Sequence, residues 1–230
     1  LVSRRFDDAV KVFLPLCAEL HPIATPDSPV LVRQFYNDLK EDTAFCLRAS
    51  TEVAYVDYLR TDRLFSIPST TLEAWLNNVN EAIKLDRQNS YHFLIKALYL
   101  FLLARIPEAI DAAKRSRVLA PKAISTPNFS LAFLYNFNGN FKKSRMEYMR
   151  ALGKKTSYHP EMLRDILDFI RQAIVRFPEK PQLQFAFGFL HINRGDPQKG
   201  RQEIAAFLNK AAHQPSLSDF LAESRRILGQ

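Results

Sequence analysis

The chain of 230 residues has little glycine and cysteine, and it has no long apolar run. With 6 glycines and long stretches of helical periodicity, it favours an all-helical fold. Cys17 and Cys46 are far apart and form no Cys-x-x-Cys pair or Cys/His cluster, so we expect neither a zinc site nor a redox pair. We interpret them as structural thiols, with a disulfide as the alternative in an oxidising compartment. The longest apolar run, residues 97–104, is too short to span a bilayer.

Sequence motifs of catalysis are missing as well. The chain contains no phosphate-binding loop, no G-x-S-x-G and no H-E-x-x-H. Its five histidines are scattered, and the most notable, His191, is interpreted as a core or groove residue because its helix is otherwise apolar. We therefore expect a protein that is not an enzyme and that needs no metal and no cofactor.

What the chain does contain is a repeated pattern of small and apolar residues. Residues 125–152 predict an apolar helix, a tight turn and a second, amphipathic helix. Gly139 supplies the positive φ that ends the first of these helices. Small residues recur at intervals of 35 residues and then of 56 residues. The matched positions are Ala97 with Ala132, Ala109 with Ser144, and Ala132 with Gly188.

This pattern resembles the tetratricopeptide repeat, a 34-residue helix–turn–helix unit with small residues at fixed points. The resemblance covers about residues 90–121, 125–152 and 181–208. It departs from the family pattern at Lys96, where the family has leucine, and at His191, where it has tyrosine. The resemblance implies an all-α fold, namely a right-handed α-solenoid of helical hairpins.

The same resemblance predicts two regions. Residues 69–230 are expected to form the solenoid, and its last helix, residues 216–228, is expected to cap the core. Residues 1–68 are expected to form irregular helices, of which one is a candidate for a degenerate repeat helix. Within that region Pro15 should kink or end the first helix, and Ser50 or Thr51 should begin a new one.

In the tetratricopeptide family, the first helices of successive hairpins line a concave groove. The positions that match this lining are Leu94, Leu98, Phe101, Phe129, Phe133, Asn136, Phe137, Phe185, Phe189 and Asn193. Such a groove suits an apolar helix or an extended segment of another protein, and its two asparagines can bond to a ligand backbone. The implied function is a protein–protein interaction scaffold or adaptor. Two alternatives remain open: the phenylalanines are ordinary core, or the protein's own N-terminal helices fill the groove.

Charge is distributed unevenly along the chain. Residues 1–100 have 11 basic and 13 acidic side chains, a net charge of −2, whereas residues 101–230 have 21 and 11, a net charge of +10. The basic cluster consists of Lys142, Lys143, Arg145, Arg150, Lys154 and Lys155. It predicts, as a second hypothesis, binding of nucleic acid or of an anionic membrane surface. Base stacking would then require exposed aromatic rings, for which Tyr148 and Tyr158 are the candidates.

The chain begins with Leu1 instead of methionine, which is typical of a fragment or a processed product. We expect a cytoplasmic protein.

Overall fold

The computed structural model describes residues 2–120, 125–153 and 160–230, which form helices joined by short connections. No strand occurs in this part of the chain, so the all-α prediction is confirmed there. The helices are α1 (Val2–Leu20), α2 (Val30–Arg60), α3 (Ser69–Leu85), α4 (Ser90–Leu102), α5 (Ile106–Leu119), α6 (Thr126–Phe137), α7 (Phe141–Ala151), α8 (Pro160–Arg176), α9 (Gln182–Asn193), α10 (Pro197–Ala211) and α11 (Ser218–Leu228). Two 3₁₀ turns lie at Leu64–Ser66 and Pro215–Leu217.

Contacts divide the chain into two compact units. The first consists of Leu1–Thr61 and Ile67–Leu119, and the second of Asp62–Ser66 and Ala120–Gln230. Helices α1 to α5 therefore belong to one unit and α6 to α11 to the other. Helices α3, α4 and α5 pack with the N-terminal helices, and the division into regions 1–68 and 69–230 stays a prediction.

Helices of the first unit pack in sequence order, each against the next. Helices α1 and α2 are antiparallel: the ring centroids of Phe6 and Phe45 lie 5.8 Å apart at one end, and those of His21 and Tyr36 lie 6.0 Å apart at the other. Helix α1 continues past Pro15, so this proline does not end the helix.

Helix α2 is continuous over 31 residues, and the predicted helix start at Ser50 or Thr51 is wrong. Both hydroxyls bond backwards within the helix, Ser50 Oγ to the carbonyl of Leu47 at 3.2 Å and Thr51 Oγ1 to that of Arg48 at 2.7 Å. A hydroxyl that bonds to the preceding turn does not cap a new helix. Thr51 Oγ1 also accepts a bond of 2.7 Å from the hydroxyl of Tyr99, which fixes α4 against α2.

The second unit contains two antiparallel hairpins, α6 with α7 and α9 with α10. Phe169 of α8 contacts Phe133 of α6 at 4.9 Å between ring centroids, and Phe177, directly after α8, contacts Phe137 of α6 at 5.0 Å. Helix α11 packs against α7, α9 and α10. It ends at Leu228, as predicted, and the following Gly229 adopts a φ of 76°.

Three hairpins turn with the same backbone geometry. The positive φ angles are 60° at Ala104, 73° at Gly139 and 98° at Gly195. In each turn, the residue that follows the one with positive φ donates its N–H to the carbonyl five residues before it. These bonds run from Arg105 to Leu100 at 2.8 Å, from Asn140 to Tyr135 at 2.8 Å and from Asp196 to His191 at 2.9 Å. The turns are therefore spaced by the 35 and 56 residues that also separate the small residues.

Those small residues lie where the two helices of a hairpin come closest. Ser144 Oγ of α7 donates to the carbonyl of Ala132 of α6 at 2.9 Å, so the two helices come close at Ala132. In the last hairpin, a Cβ added at Gly188 would lie 2.7 Å from the carbonyl oxygen of Gly200. The helices of that hairpin pack backbone to backbone, and a side chain at either glycine would push them apart.

Candidate functional site

Most of the predicted groove residues lie inside the protein. Seven of them are buried: Leu94, Phe101, Phe129, Phe133, Asn136, Phe185 and Phe189. Leu98 and Phe137 are partly buried. Asn193 is the exposed one, and its Nδ2 donates to the carbonyl of Phe189 at 2.8 Å. A partner would reach the seven buried side chains only after the surrounding helices separated, as the plain-core alternative implies.

The rings of the second unit pack against each other in a continuous aromatic core. Phe129 contacts Tyr148 across the hairpin of α6 and α7 at 6.4 Å between centroids. Tyr148 contacts Phe189 of α9 at 5.9 Å, and Phe185 contacts Phe220 of α11 at 5.4 Å. These pairs join four helices, so the phenylalanines contribute to stability in the same way as other buried aromatic pairs.

Asn136 is a special case among the buried groove residues. It is fully buried, and neither Nδ2 nor Oδ1 has a hydrogen-bond partner in the described part of the chain. A buried amide without partners destabilises the folded state, since desolvation is not compensated. Its predicted contact with a ligand backbone stays a prediction.

The basic cluster, in contrast, is exposed on α7. This helix buries Ser144, Glu147, Tyr148 and Ala151, which recur at intervals of three, one and three residues and form one side of the helix. Because an α-helix turns by about 100° per residue, the residues between them lie on the opposite side. That side carries four of the predicted basic residues, while Lys154 and Lys155 lie outside the described residues.

We call this exposed side the α7 face and define it as Lys142, Lys143, Arg145, Met146, Met149 and Arg150. Helical geometry places Lys142, Met146 and Met149 along its centre, at intervals of four and three residues. The methionines are 43% and 50% exposed. Arg145 lies on one side of this central line, and Lys143 and Arg150 lie on the other. The α7 face therefore has two methionines and Lys142 along its centre and basic side chains on both sides.

The basic groups at the edges are held in place by neighbours in the same unit. Arg145 Nε lies 3.4 Å from Glu223 Oε1 of α11, and Arg150 Nη1 donates to Glu147 Oε1 at 2.7 Å. Lys143 Nζ lies 5.5 Å from the ring centroid of Tyr135. A hydrogen bond from Arg226 and the nearby charge of Arg145 hold the pKa of Glu223 below its ordinary value. The carboxylate thus stays ionised and orients the Arg145 guanidinium.

The methionines of the α7 face were missed by reasoning from sequence, although a signal was present. Met146 and Met149 are three residues apart between basic residues, a spacing that places both on one side of a helix. Tyr148, the predicted stacking ring, is instead buried. Burial removes it from any surface that could contact a base, and Tyr158 lies outside the described residues.

No protein-family model matches this chain, and no curated protein matches it either. Among the described residues, no helix combines the length and the apolar character that crossing a membrane requires.

Proposed function

We propose that this protein is a non-catalytic interaction scaffold or adaptor, and that its α7 face binds an acidic segment of a partner protein. The observation that carries the proposal is the pair of exposed methionines, Met146 and Met149, between basic residues on one helix. A partner that fits this surface has bulky apolar side chains on one side of a helix and carboxylates beside them.

Each part of the α7 face has a physical role in such binding. Methionine side chains are flexible and polarisable, so they adapt to apolar anchors of different shape. The basic edges attract an acidic segment and fix its orientation, which raises the association rate and the specificity. Helix α7 is held by α6, α9 and α11, so the receptor loses little freedom on binding.

The predicted solenoid and the resemblance to the tetratricopeptide repeat belong to the same proposal. What supports them is the shared turn geometry at Ala104, Gly139 and Gly195, with the same long hydrogen bond after each turn. Repeats of this kind present helices on a stiff framework, which suits a scaffold.

Fluorescence anisotropy with a designed helical peptide tests the proposed function. The peptide carries leucine, phenylalanine and aspartate at alternating intervals of four and three residues, and a comparison peptide has lysine in place of aspartate. We expect the acidic peptide to bind, and the double variant Lys142→Glu/Lys143→Glu to weaken binding by about tenfold or more, since attraction becomes repulsion. Binding of the lysine peptide with equal affinity would contradict the proposal.

A matched control distinguishes the effect of the α7 face on binding from the effect of the net charge. The double variant Lys199→Glu/Arg201→Glu changes the net charge by the same amount on α10 and leaves α7 unaltered. It should retain the affinity of the original protein. Equal weakening by both double variants would mean that overall charge, and not the α7 face, drives binding.

Nucleic-acid binding is the second candidate, favoured by the exposure of Lys142, Lys143, Arg145 and Arg150. The burial of Tyr148 argues against base stacking beside these residues. A gel shift that weakens steeply with salt and is lost on reversing the charges of Lys142, Lys143 and Arg145 would favour this candidate. The acidic peptide should then fail to bind.

A further inference from the structure

A second exposed stripe, on α2, is acidic and apolar. Its residues are Leu31, Phe35, Asp38, Asp42 and Phe45, and we call this set the α2 stripe. They recur at intervals of four, three, four and three residues, which places all five along one side of the helix. The three apolar side chains are 78%, 56% and 49% exposed in chain order, and both aspartates are exposed.

Phe45 of the α2 stripe contacts the ring of Phe6 on α1, and the rest of the stripe lies beside the side of α2 that packs in the core. Leu39, Thr43 and Cys46 are buried on that other side, and Cys17 Sγ of α1 lies 3.4 Å from Thr43 Oγ1. The two cysteines are free thiols. An exposed row of large apolar residues on a helix that already has a packed side is typical of an interaction surface.

Charge around the α2 stripe is mainly acidic. Glu41, next to Asp42, is exposed as well. Lys40 is directed elsewhere, because its Nζ lies 5.2 Å from the ring centroid of Tyr36. Arg48 lies beside Phe45 at the far end, where its guanidinium is paired with Glu52. The centre of the stripe therefore presents carboxylates between apolar side chains.

We propose that the α2 stripe of one copy of this protein docks on the α7 face of a second copy. The inference rests on the proposed function, since it names the partner of the same face. The two surfaces match in composition: carboxylates with leucine and phenylalanine on one, and lysines and arginines with methionine on the other. At 1.5 Å per residue the α2 stripe is about 21 Å long and Lys142 to Arg150 spans about 12 Å, so the stripe covers the whole face.

Every copy carries both surfaces, so each can act as donor and acceptor in head-to-tail contacts. If two copies make this contact reciprocally, they form a closed dimer. If the contact cannot be reciprocal, successive copies form longer assemblies. In both cases charge contributes to the contact, and added salt weakens it.

Sedimentation equilibrium of the full chain tests this proposal. We expect the average mass to rise with protein concentration at low salt and to fall when salt is added. The double variants Lys142→Glu/Lys143→Glu and Asp38→Lys/Asp42→Lys should each weaken self-association by about tenfold or more, since each leaves two surfaces of equal sign. Circular dichroism checks that both variants keep their helices.

Mixing the two double variants gives the decisive comparison. The first retains an acidic α2 stripe and the second a basic α7 face, so the mixture should associate although each variant alone does not. Original protein that stays monomeric at every concentration, or a mixture that stays monomeric, would overturn the proposal.

The outcome for self-association is separable from that for the proposed function. A protein that binds the acidic peptide through Lys142 and Lys143 but never self-associates overturns this inference alone. A protein that does neither overturns both.

Discussion

Ala104 adopts a left-handed backbone conformation, with a φ of 60°, in the turn between α4 and α5. The corresponding turns have glycine, at positions 139 and 195. A residue with a Cβ is strained in this region, at a cost of about 1–2 kcal/mol. Ala104→Gly should therefore raise the free energy of unfolding by about 0.5–1 kcal/mol. The gain is smaller than the strain because glycine also raises the conformational entropy of the unfolded chain. Urea denaturation measures the change.

Gly139→Ala is the matched control for this prediction. No atom lies within 4 Å of a Cβ added at Gly139, so the backbone conformation alone decides the effect. We expect a loss of about 1 kcal/mol. Equal stability of Ala104→Gly and the original protein would show that the turn geometry imposes no strain.

His92 is buried in α4, and neither ring nitrogen has a hydrogen-bond partner in the described part of the chain. Burial lowers its pKa from 6.5 to about 4; the charge of Arg48 acts in the same direction, and Asp86, whose Oδ2 lies 3.7 Å from Nε2, opposes it. Between pH 6.5 and 4 the unfolded chain binds a proton that the folded chain does not. The free energy of unfolding should therefore fall as the pH is lowered through this window, by up to about 3 kcal/mol.

Denaturation of the original protein and of His92→Gln at several pH values checks this expectation. Burial also lowers the pKa of His191, so the informative quantity is the difference between the two proteins. As the pH falls toward 4, the free energy of unfolding of the original protein should decrease relative to that of His92→Gln. Parallel curves for the two proteins would be incompatible with a neutral, buried His92.

At the scale of elements, the hairpin of α9 and α10 depends on two glycines. A Cβ at Gly200 would lie 2.6 Å from the carbonyl oxygen of Gly188, and would also collide with Ile192. Gly200→Ala should therefore lower the free energy of unfolding by about 1–2 kcal/mol, because overpacking outweighs the better helix propensity of alanine. Thermal unfolding measures the loss.

The control is Gln202→Ala, at an exposed position near Gly200. Its free energy of unfolding should stay within about 0.5 kcal/mol of that of the original protein. A stabilised Gly200→Ala protein would refute the close approach.

The hairpins themselves were predictable from sequence because their determinants are local. The glycine turn at 139, the small residues at 132 and 144, and the final stop at Gly229 all act within a few residues of the elements they define. The start predicted at Ser50 failed because its hydroxyl bonds to the preceding turn, and the sequence does not distinguish this from capping.

Exposure of the site residues was less predictable, because it depends on contacts between distant segments. Phe133 is buried partly by Phe169, 36 residues away, on a helix outside the three recognised repeats. The aromatic spacing was therefore equally compatible with a groove and with a core. The exposed basic residues of α7 were predictable since exposure is the usual state of lysine and arginine.

At the scale of the whole molecule, part of the unequal charge of the two halves lies on two particular surfaces. The surplus of residues 101–230 is partly displayed on the α7 face, and acidic residues of the N-terminal half are displayed on the α2 stripe. Since apolar side chains accompany both sets, we expect contacts through these surfaces to combine burial of apolar area with charge attraction, and to weaken but not vanish in high salt.

Methyl NMR of methionine tests the central claim most directly, because the chain has 3 methionines. Met146 and Met149 are on the α7 face, and Met162 is on α8, where its sulfur lies 3.0 Å from Thr126 Oγ1. The spectrum is recorded at a concentration at which the protein is monomeric, before and after addition of the acidic peptide. The account predicts that the signals of Met146 and Met149 shift while that of Met162 does not. Bound peptide that leaves both α7 signals unchanged would contradict it.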